Sequence, residues 1–210
     1  MMIAAIITGL TLGAMSVHPA PEESATDIWC DELESGDGAM QNCSLQVPGG
    51  TLQFNYQEDG LHLTQHVDGQ VGWVSFPVQG VWHARSIVRL IDLNADGVEE
   101  LLIPIGTGNV NTSYLLWQQS ATGIFQPAGE LSGYGVGPSE RVPGLIQVGS
   151  RGSAVTHYET AYRLTPDGLE PVYEMVANMQ MEACRLVLEP APDAGLDADA
   201  LLSACEEVFE

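Results

Sequence analysis

The stretch TLQFNYQ (51–57), EDG (58–60), LHLTQHV (61–67), DG (68–69) and QVGWVSFPV (70–78) decides the fold. Its three runs mix apolar and polar residues at a period near two and are separated by Asp-Gly. That pair is a strong hairpin signal, because both central positions of the tightest turns need positive φ. A period of two puts alternate side chains on opposite faces, so the segment reads as an antiparallel meander. Further runs continue the pattern: SIVRLIDL (86–93), EELLIPI (99–105), TSYLLWQQ (112–119), LIQVGS (145–150), THYETAYRL (156–164) and LEPVYEMV (169–176). None alternates with a long helical pattern, which argues against a parallel sheet fed by crossover helices. The predicted fold is mainly β: an antiparallel β-sandwich or an incomplete β-propeller-like domain with a short C-terminal helix. In that helix Asp197 or Asp199 is the cap, and Leu201, Cys205, Val208 and Phe209 recur at helical spacing. The stretch 175–188 fits a strand or a helix.

Charge narrows the partners. The chain has 28 Asp plus Glu against 6 Lys plus Arg, a formal charge of -22. The basic residues are all Arg (Arg85, Arg89, Arg141, Arg151, Arg163, Arg185), scattered along the sequence. They cannot build the basic face that neutralises phosphates, so nucleic acid is excluded, and anionic membrane surfaces are disfavoured on the same ground. The apolar share of 45% is ordinary for a globular chain, so the acidity does not signal disorder. Cations and basic proteins are the favoured partners.

The opening MMIAAIITGLTLGAMSV is uncharged and mostly apolar, with small residues at Ala14 and Ser16 suited to cleavage. It reads as a secretory signal peptide over 1–16, although no Lys or Arg precedes the apolar run; a membrane anchor and a buried helix are the alternatives. Cysteine usage agrees with export. Cys30, Cys43, Cys184 and Cys205 make an even set without C-x-x-C spacing, which reads as two disulfides rather than zinc. Three pairings are open; the local one, Cys30 with Cys43 and Cys184 with Cys205, is simplest. Each such bridge contributes roughly 3 kcal/mol on the loop-entropy account. The expected organisation is a signal peptide (1–16), an N-terminal linker and disulfide loop (17–49), a calcium-binding β domain (50–180) and a C-terminal disulfide-tethered segment with the helix (181–210). The expected location is periplasmic or secreted, with no membrane association after signal cleavage.

The most specific motif is Asp92-Leu-Asn94-Ala-Asp96-Gly97-Val98-Glu99-Glu100. Oxygen-bearing side chains at positions 1, 3 and 5, Gly at 6 and a carboxylate at 9 describe a loop that wraps a hard cation. Asp92, Asn94, Asp96, the Val98 carbonyl, Glu100 and water supply the six to eight oxygens that Ca²⁺ prefers. An EF-hand is excluded, because its twelfth position needs a bidentate Glu and Ile103 stands there, and because the flanks IVRLI and LLIPI read as strands. The alternative is an Asx-rich turn without an ion. No nucleophile elbow, H-E-x-x-H pair, P-loop or dinucleotide fingerprint occurs, so the expectation is a non-enzymatic protein. His62 and His66, four apart on a predicted strand, read as polar face positions rather than ligands.

A D-x-N-x-D-G-x-x-[DE] loop between two apolar strands resembles the calcium loops of FG-GAP and VCBS repeats, the blade motifs of integrin-type propellers. Only one copy of the loop is present. Beyond it follow Asn109-Val-Asn111-Thr-Ser-Tyr114-Leu-Leu-Trp117, a Thr-Gly turn with Phe125, Tyr158-x-x-x-Tyr162-Arg163 and Asp167-Gly168-Leu169. This order, over roughly residues 86–176, resembles bacterial periplasmic proteins related to the I-type lysozyme inhibitors, some of which serve as immunity proteins against hydrolases delivered by type IV secretion systems. The resemblance implies inhibition of a basic, lysozyme-like peptidoglycan hydrolase; the FG-GAP likeness implies an extracellular adhesion or binding module instead. Such inhibitors use an S-G-x-x-Y loop, and here Ser132-Gly133 is followed by Val136 where the Tyr would stand.

The expected partner surface is a turn-rich side formed by 132–141 and 149–158, with Tyr134, Arg151, Ser153 and Tyr158 as its binding residues. SGYGVGPSER (132–141) has three Gly, a Pro and an aromatic without strand alternation, which predicts a loop. Loops held by a rigid sheet commonly carry binding residues, and Tyr and Arg are favoured at interface centres.

Overall fold

The computed structural model describes residues 26–28, 42–57, 59–67, 70–74 and 88–209. In chain order, β1 (Thr26–Ile28) precedes β2 (Asn42–Val47), β3 (Gly50–Gln57), β4 (Gly60–Val67) and β5 (Gln70–Val74). Next come β6 (Val88–Ile91), β7 (Glu100–Thr107), β8 (Thr112–Gln119) and β9 (Phe125–Gly133). The last set is β10 (Gly135–Pro138), β11 (Leu145–Arg151), β12 (Thr156–Thr165), β13 (Gly168–Asn178) and β14 (Ala183–Leu188), followed by helix α1 (Ala198–Glu206). They form three antiparallel sheets: an N-terminal sheet β2-β3-β4-β5, a central sheet β1-β6-β7-β8-β9 and a C-terminal sheet β10-β11-β12-β13-β14. The protein is mainly β, as the hairpin signals predict.

Alternation along the central strands sends successive apolar residues to opposite faces. Leu101, Ile103 and Trp117 pack with Leu52, Phe54, Leu61 and Leu63 of the N-terminal sheet. Leu102, Leu116 and Leu131 turn the other way and pack with Ile146 and Val148 of the C-terminal sheet. The central sheet is therefore covered on both sides, which is why LLIPI is a continuous apolar run while β4 alternates. Its face toward the core carries Leu61, Leu63 and Gln65, and the intervening His62, Thr64 and His66 are half-buried. His62 Nε2 sits 2.8 Å from Asp59 Oδ1, and His66 Nε2 lies 3.2 Å from Gln53 Oε1. Both behave as polar face residues.

Gln65 joins two of the layers. It is fully buried, yet its Nε2 donates to the carbonyls of Gly49 (3.0 Å) and Gly123 (2.8 Å), and its Oε1 accepts from Phe125 N (2.9 Å). The two turns approach so closely that a Cβ on Gly49 would stand 2.0 Å from Gly123 O. Only glycine permits that approach.

The outer face of the C-terminal sheet buries Leu145, Ala161, Tyr173 and Met175 against Leu201 and Cys205 of α1. Asp197 caps α1, its Oδ1 accepting from Asp199 N at 3.0 Å. A disulfide joins Cys184 on β14 to Cys205 on α1, with Cα atoms 6.2 Å apart. The Cys30–Cys43 pairing rests on Cys30, which lies outside the described residues, as does the signal segment 1–16. Among the described residues no helix is long and apolar enough to cross a membrane.

One open reading resolves and one changes. The stretch 175–188 is strand on both sides of a turn: Asn178 Oδ1 accepts from the backbone N–H of Gln180 (3.0 Å) and Met181 (3.1 Å), reversing the chain between β13 and β14. Residues 132–141 are not the expected loop. Ser132 and Gly133 end β9, and Gly135–Pro138 form the edge strand β10, paired Gly135↔Gly149 through Pro138↔Ile146. Main-chain bonds hold this edge, with Tyr134 N donating to Gly149 O at 2.9 Å and Ser139 N to Leu145 O at 2.8 Å. Such pairing needs no side-chain alternation. Strands β2 and β14, on either side of the expected 50–180 domain, complete the outer sheets.

Candidate functional site

The loop between β6 and β7 closes around its own polar side chains. Asp92 Oδ1 accepts from Asp96 N (3.0 Å) and Asp92 Oδ2 from Gly97 N (2.7 Å). Asn94 Oδ1 also accepts from Asp96 N (3.1 Å), while Asn94 Nδ2 donates to Asp96 Oδ2 (2.9 Å). Asp96 Oδ1 accepts from Val98 N (2.8 Å), and Glu100 Oε2 accepts from Leu93 N (2.8 Å). The tight path needs a left-handed residue at Gly97 (φ 87°), which glycine adopts without steric cost.

Burial is uneven. Asp92, Asn94 and Glu100 are buried and Asp96 and Val98 exposed, so the loop has an inner wall and an open mouth. Glu100 is the extreme case, 2% exposed, and no cationic side chain contacts it among the described residues. Burial, helped by the negative charges of Asp96 and Asp92 and opposed by the Leu93 N–H, pushes its carboxyl up to about 8. Among the described residues no three His, Cys, Asp or Glu side chains converge as a metal cluster. Asp92, Asp96 and Glu100, the three carboxylates of the donor set expected from the sequence, therefore do not converge as such a cluster. The oxygens of that set are of the kind a hard cation takes, since each carboxylate oxygen that accepts one backbone N–H retains a further lone-pair site.

The expected partner residues divide into two pairs. Tyr134 and Tyr158 line one cleft of about 530 Å³ on the outer face of the C-terminal sheet, the part of that face α1 leaves uncovered. Its floor comes from Gln147, Glu159 and Met175, with Cys205 of α1 among the lining residues. Tyr134 is 55% exposed and meets the His157 ring edge-on, centroids 6.3 Å apart at 77°. Tyr158 packs over Gly152. Arg151 and Ser153 do not line the cleft. The Arg151 backbone is gripped by Asn111, whose Nδ2 donates to Arg151 O and whose Oδ1 accepts from Arg151 N, both at 3.0 Å. Ser153 Oγ accepts from Val155 N (3.2 Å) and donates to Thr156 Oγ1 (3.0 Å), so this hydroxyl builds the β11–β12 turn.

Sequence reasoning missed Arg141, Gln147 and Glu159. Glu159 Oε1 accepts from Tyr173 Oη at 2.7 Å and lies 3.7 Å from Arg141 Nε. Tyr173 is fully buried, and burial together with Glu159 raises its phenol above the ordinary tyrosine range. The position of Glu159 between His157 and Ala161 on one face of β12 was the available signal. A second crevice of about 410 Å³, between the central and C-terminal sheets, is lined by Ser113, Glu130, Ser132, Tyr162 and Glu174 among others.

Compared with protein-family models, curated proteins and solved structures, the chain finds no match.

Proposed function

We propose that this is an exported, non-catalytic Ca²⁺-binding protein that captures a basic, lysozyme-like peptidoglycan hydrolase in the periplasm or outside the cell. One observation carries the metal assignment: Glu100 is buried beside Asp92 and Asp96, and among the described residues no cationic side chain offsets it. Like charges crowded in a low-dielectric wall are costly unless neutralised. A divalent cation at the mouth of the loop removes that cost, with Asp92, Asn94, Asp96, Glu100 and the Val98 carbonyl as ligands. Its role is structural, tying β6 to β7. The Cys184–Cys205 disulfide supports export, since such bonds persist in oxidising compartments. The charge of -22 supports a cationic partner, because a strongly anionic surface accelerates encounter with one.

The test has two arms. Titration of the protein with Ca²⁺ in a calorimeter should give one site per chain, lost in Asp96→Ala. Purified protein should inhibit a basic lysozyme-like hydrolase in a cell-wall lysis assay, with and without chelator. Zero uptake of Ca²⁺ refutes the metal assignment, and zero inhibition across such enzymes refutes the partner.

The second reading is an FG-GAP/VCBS-like adhesion or binding module. The observation favouring it is that the loop joins successive strands of a meander stacked face to face with two others, an arrangement reminiscent of propeller blades. It differs in its expectation: partner binding by an adhesion module would vanish with chelator, whereas capture by the cleft would persist.

A further inference from the structure

We infer that the cleft on the outer face of the C-terminal sheet receives an arginine side chain presented by a cationic protein partner; this rests on the proposed capture of a basic protein and names the surface that performs it. The floor carboxylate is half-used. Glu159 Oε1 takes the Tyr173 hydroxyl and the distant Arg141 Nε, but Oε2 has no hydrogen-bond partner among the described residues. The Glu159 side chain is 19% exposed and lines the cleft, so its unpaired oxygen is open to an incoming charged donor. A guanidinium is the donor that fits a carboxylate with a free oxygen, because its fork supplies several N–H groups in one plane.

The surroundings favour a cation over an anion. Glu140 lies at the cleft beside Arg141, the single Arg in the lining. Cys205 marks the C-terminal pole of α1, where the carbonyls give partial negative charge, and Glu206 and Glu207 follow it with no basic residue in the last turn. The 3.7 Å contact of Arg141 with Glu159 is one loose interaction, which an incoming guanidinium can outcompete. The surroundings suit the rest of an arginine: Met175 and Ala177 offer apolar surface to its stem, and exposed Tyr134 offers a ring face for stacking. Lysine fits less well, since its ammonium is more strongly hydrated and does not stack.

The experiment titrates the isotope-labelled protein by NMR with N-acetyl-arginine amide and with N-acetyl-citrulline amide, the uncharged isostere. The arginine probe should shift backbone signals of 134–141, 147–149 and 157–159 saturably, and citrulline should not. Glu159→Gln keeps an acceptor for Tyr173 but removes the charge, and should weaken the arginine probe about tenfold. Tyr134→Ala, at an exposed position, should weaken it about two- to fivefold. Shifts spread over the carboxylate-rich surface, equal response to citrulline, or binding unchanged in both folded variants would overturn the inference. Hydrolase inhibition is measured alongside on the same variants. Inhibition that survives both substitutions overturns the cleft assignment while the capture reading stands; saturable arginine binding without inhibition of any hydrolase keeps the cation site and removes the hydrolase.

Discussion

In the loop from Asp92 to Glu100 the side chains of Asp92, Asn94, Asp96 and Glu100 each find a partner within the loop, and the buried wall is made by the same segment that supplies the charges. The cleft under Tyr134 is assembled differently: Gln147 comes from β11, Glu159 from β12, Met175 from β13 and Cys205 from α1. The loop therefore depends on local chain chemistry, and the cleft on the registers of a sheet. Changing the loop should change stability in a cation- and proton-dependent way. Changing the cleft should change recognition while leaving those dependences alone.

The largest expected effect comes from Glu100 in chelator. Its carboxyl is raised to about 8 in the folded, metal-free protein, against 4.5 as the ordinary value. Below the ordinary value both states hold the proton and there is no penalty. Between the two the unfolded chain ionises first, so stability falls as pH rises through this window and levels off above it. The loss is on the order of 3–5 kcal/mol. Chemical denaturation from pH 4 to 9 in chelator should show it, and Glu100→Gln should flatten the profile. Millimolar Ca²⁺ should also flatten the wild-type profile by favouring the carboxylate. A wild-type profile already flat in chelator contradicts this account of the loop.

Second in size is the response to Ca²⁺ at neutral pH. A ligand at about one hundred times its Kd stabilises the folded state by about 2.7 kcal/mol. The Tm should therefore rise by several degrees with saturating Ca²⁺, and Asp96→Ala should remove the rise. Glu159→Gln and Tyr134→Ala should retain it in full. If the cleft variants lose the Ca²⁺ response, the two regions are coupled and the division drawn above fails.

Tyr173→Phe tests the other side of the comparison. It removes the 2.7 Å hydrogen bond to Glu159 from a buried phenol, while Arg141 and solvent still reach the carboxylate. The expected loss is about 1–2 kcal/mol, measured as a shift in denaturation midpoint without a change in slope. It should be the same with Ca²⁺ and with chelator.

The two regions were unequally legible in the sequence for physical reasons. A D-x-N-x-D-G-x-x-E spacing carries its geometry with it, since alternate residues and one Gly suffice to turn the side chains inward. The hairpins around 51–78 were readable for the same reason: turn chemistry and alternation are local. Gln65 shows the limit. Alternation puts position 65 on the face of Leu61 and Leu63, but nothing in LHLTQHV says how a buried amide there is satisfied, because Gly49 comes from the β2–β3 turn and Gly123 and Phe125 from the central sheet. The cleft fails to announce itself in the same way. Strand β10 lacks alternation because Gly135 and Gly137 contribute main chain only, and Glu159 acquires its role from Tyr173 and Arg141.

The smallest expected effect concerns Arg151, which the sequence nominates as a binding residue and the structure keeps out of the cleft lining. Asn111 holds its main chain through two bonds of 3.0 Å, and the residue is exposed. Replacement by alanine leaves both bonds available, so Arg151→Ala should alter stability by no more than about 0.5 kcal/mol. Asn111→Ala, which deletes both, should cost about 1–2 kcal/mol. Against a cationic partner the Arg151 charge is repulsive at long range. Its removal should leave the dissociation rate unchanged and raise the association rate slightly at low salt, an increase that disappears as salt screens the charges. Surface-plasmon measurements at two ionic strengths separate these rates. A much faster dissociation in Arg151→Ala would place the interface on the β11–β12 turn and move it away from the cleft.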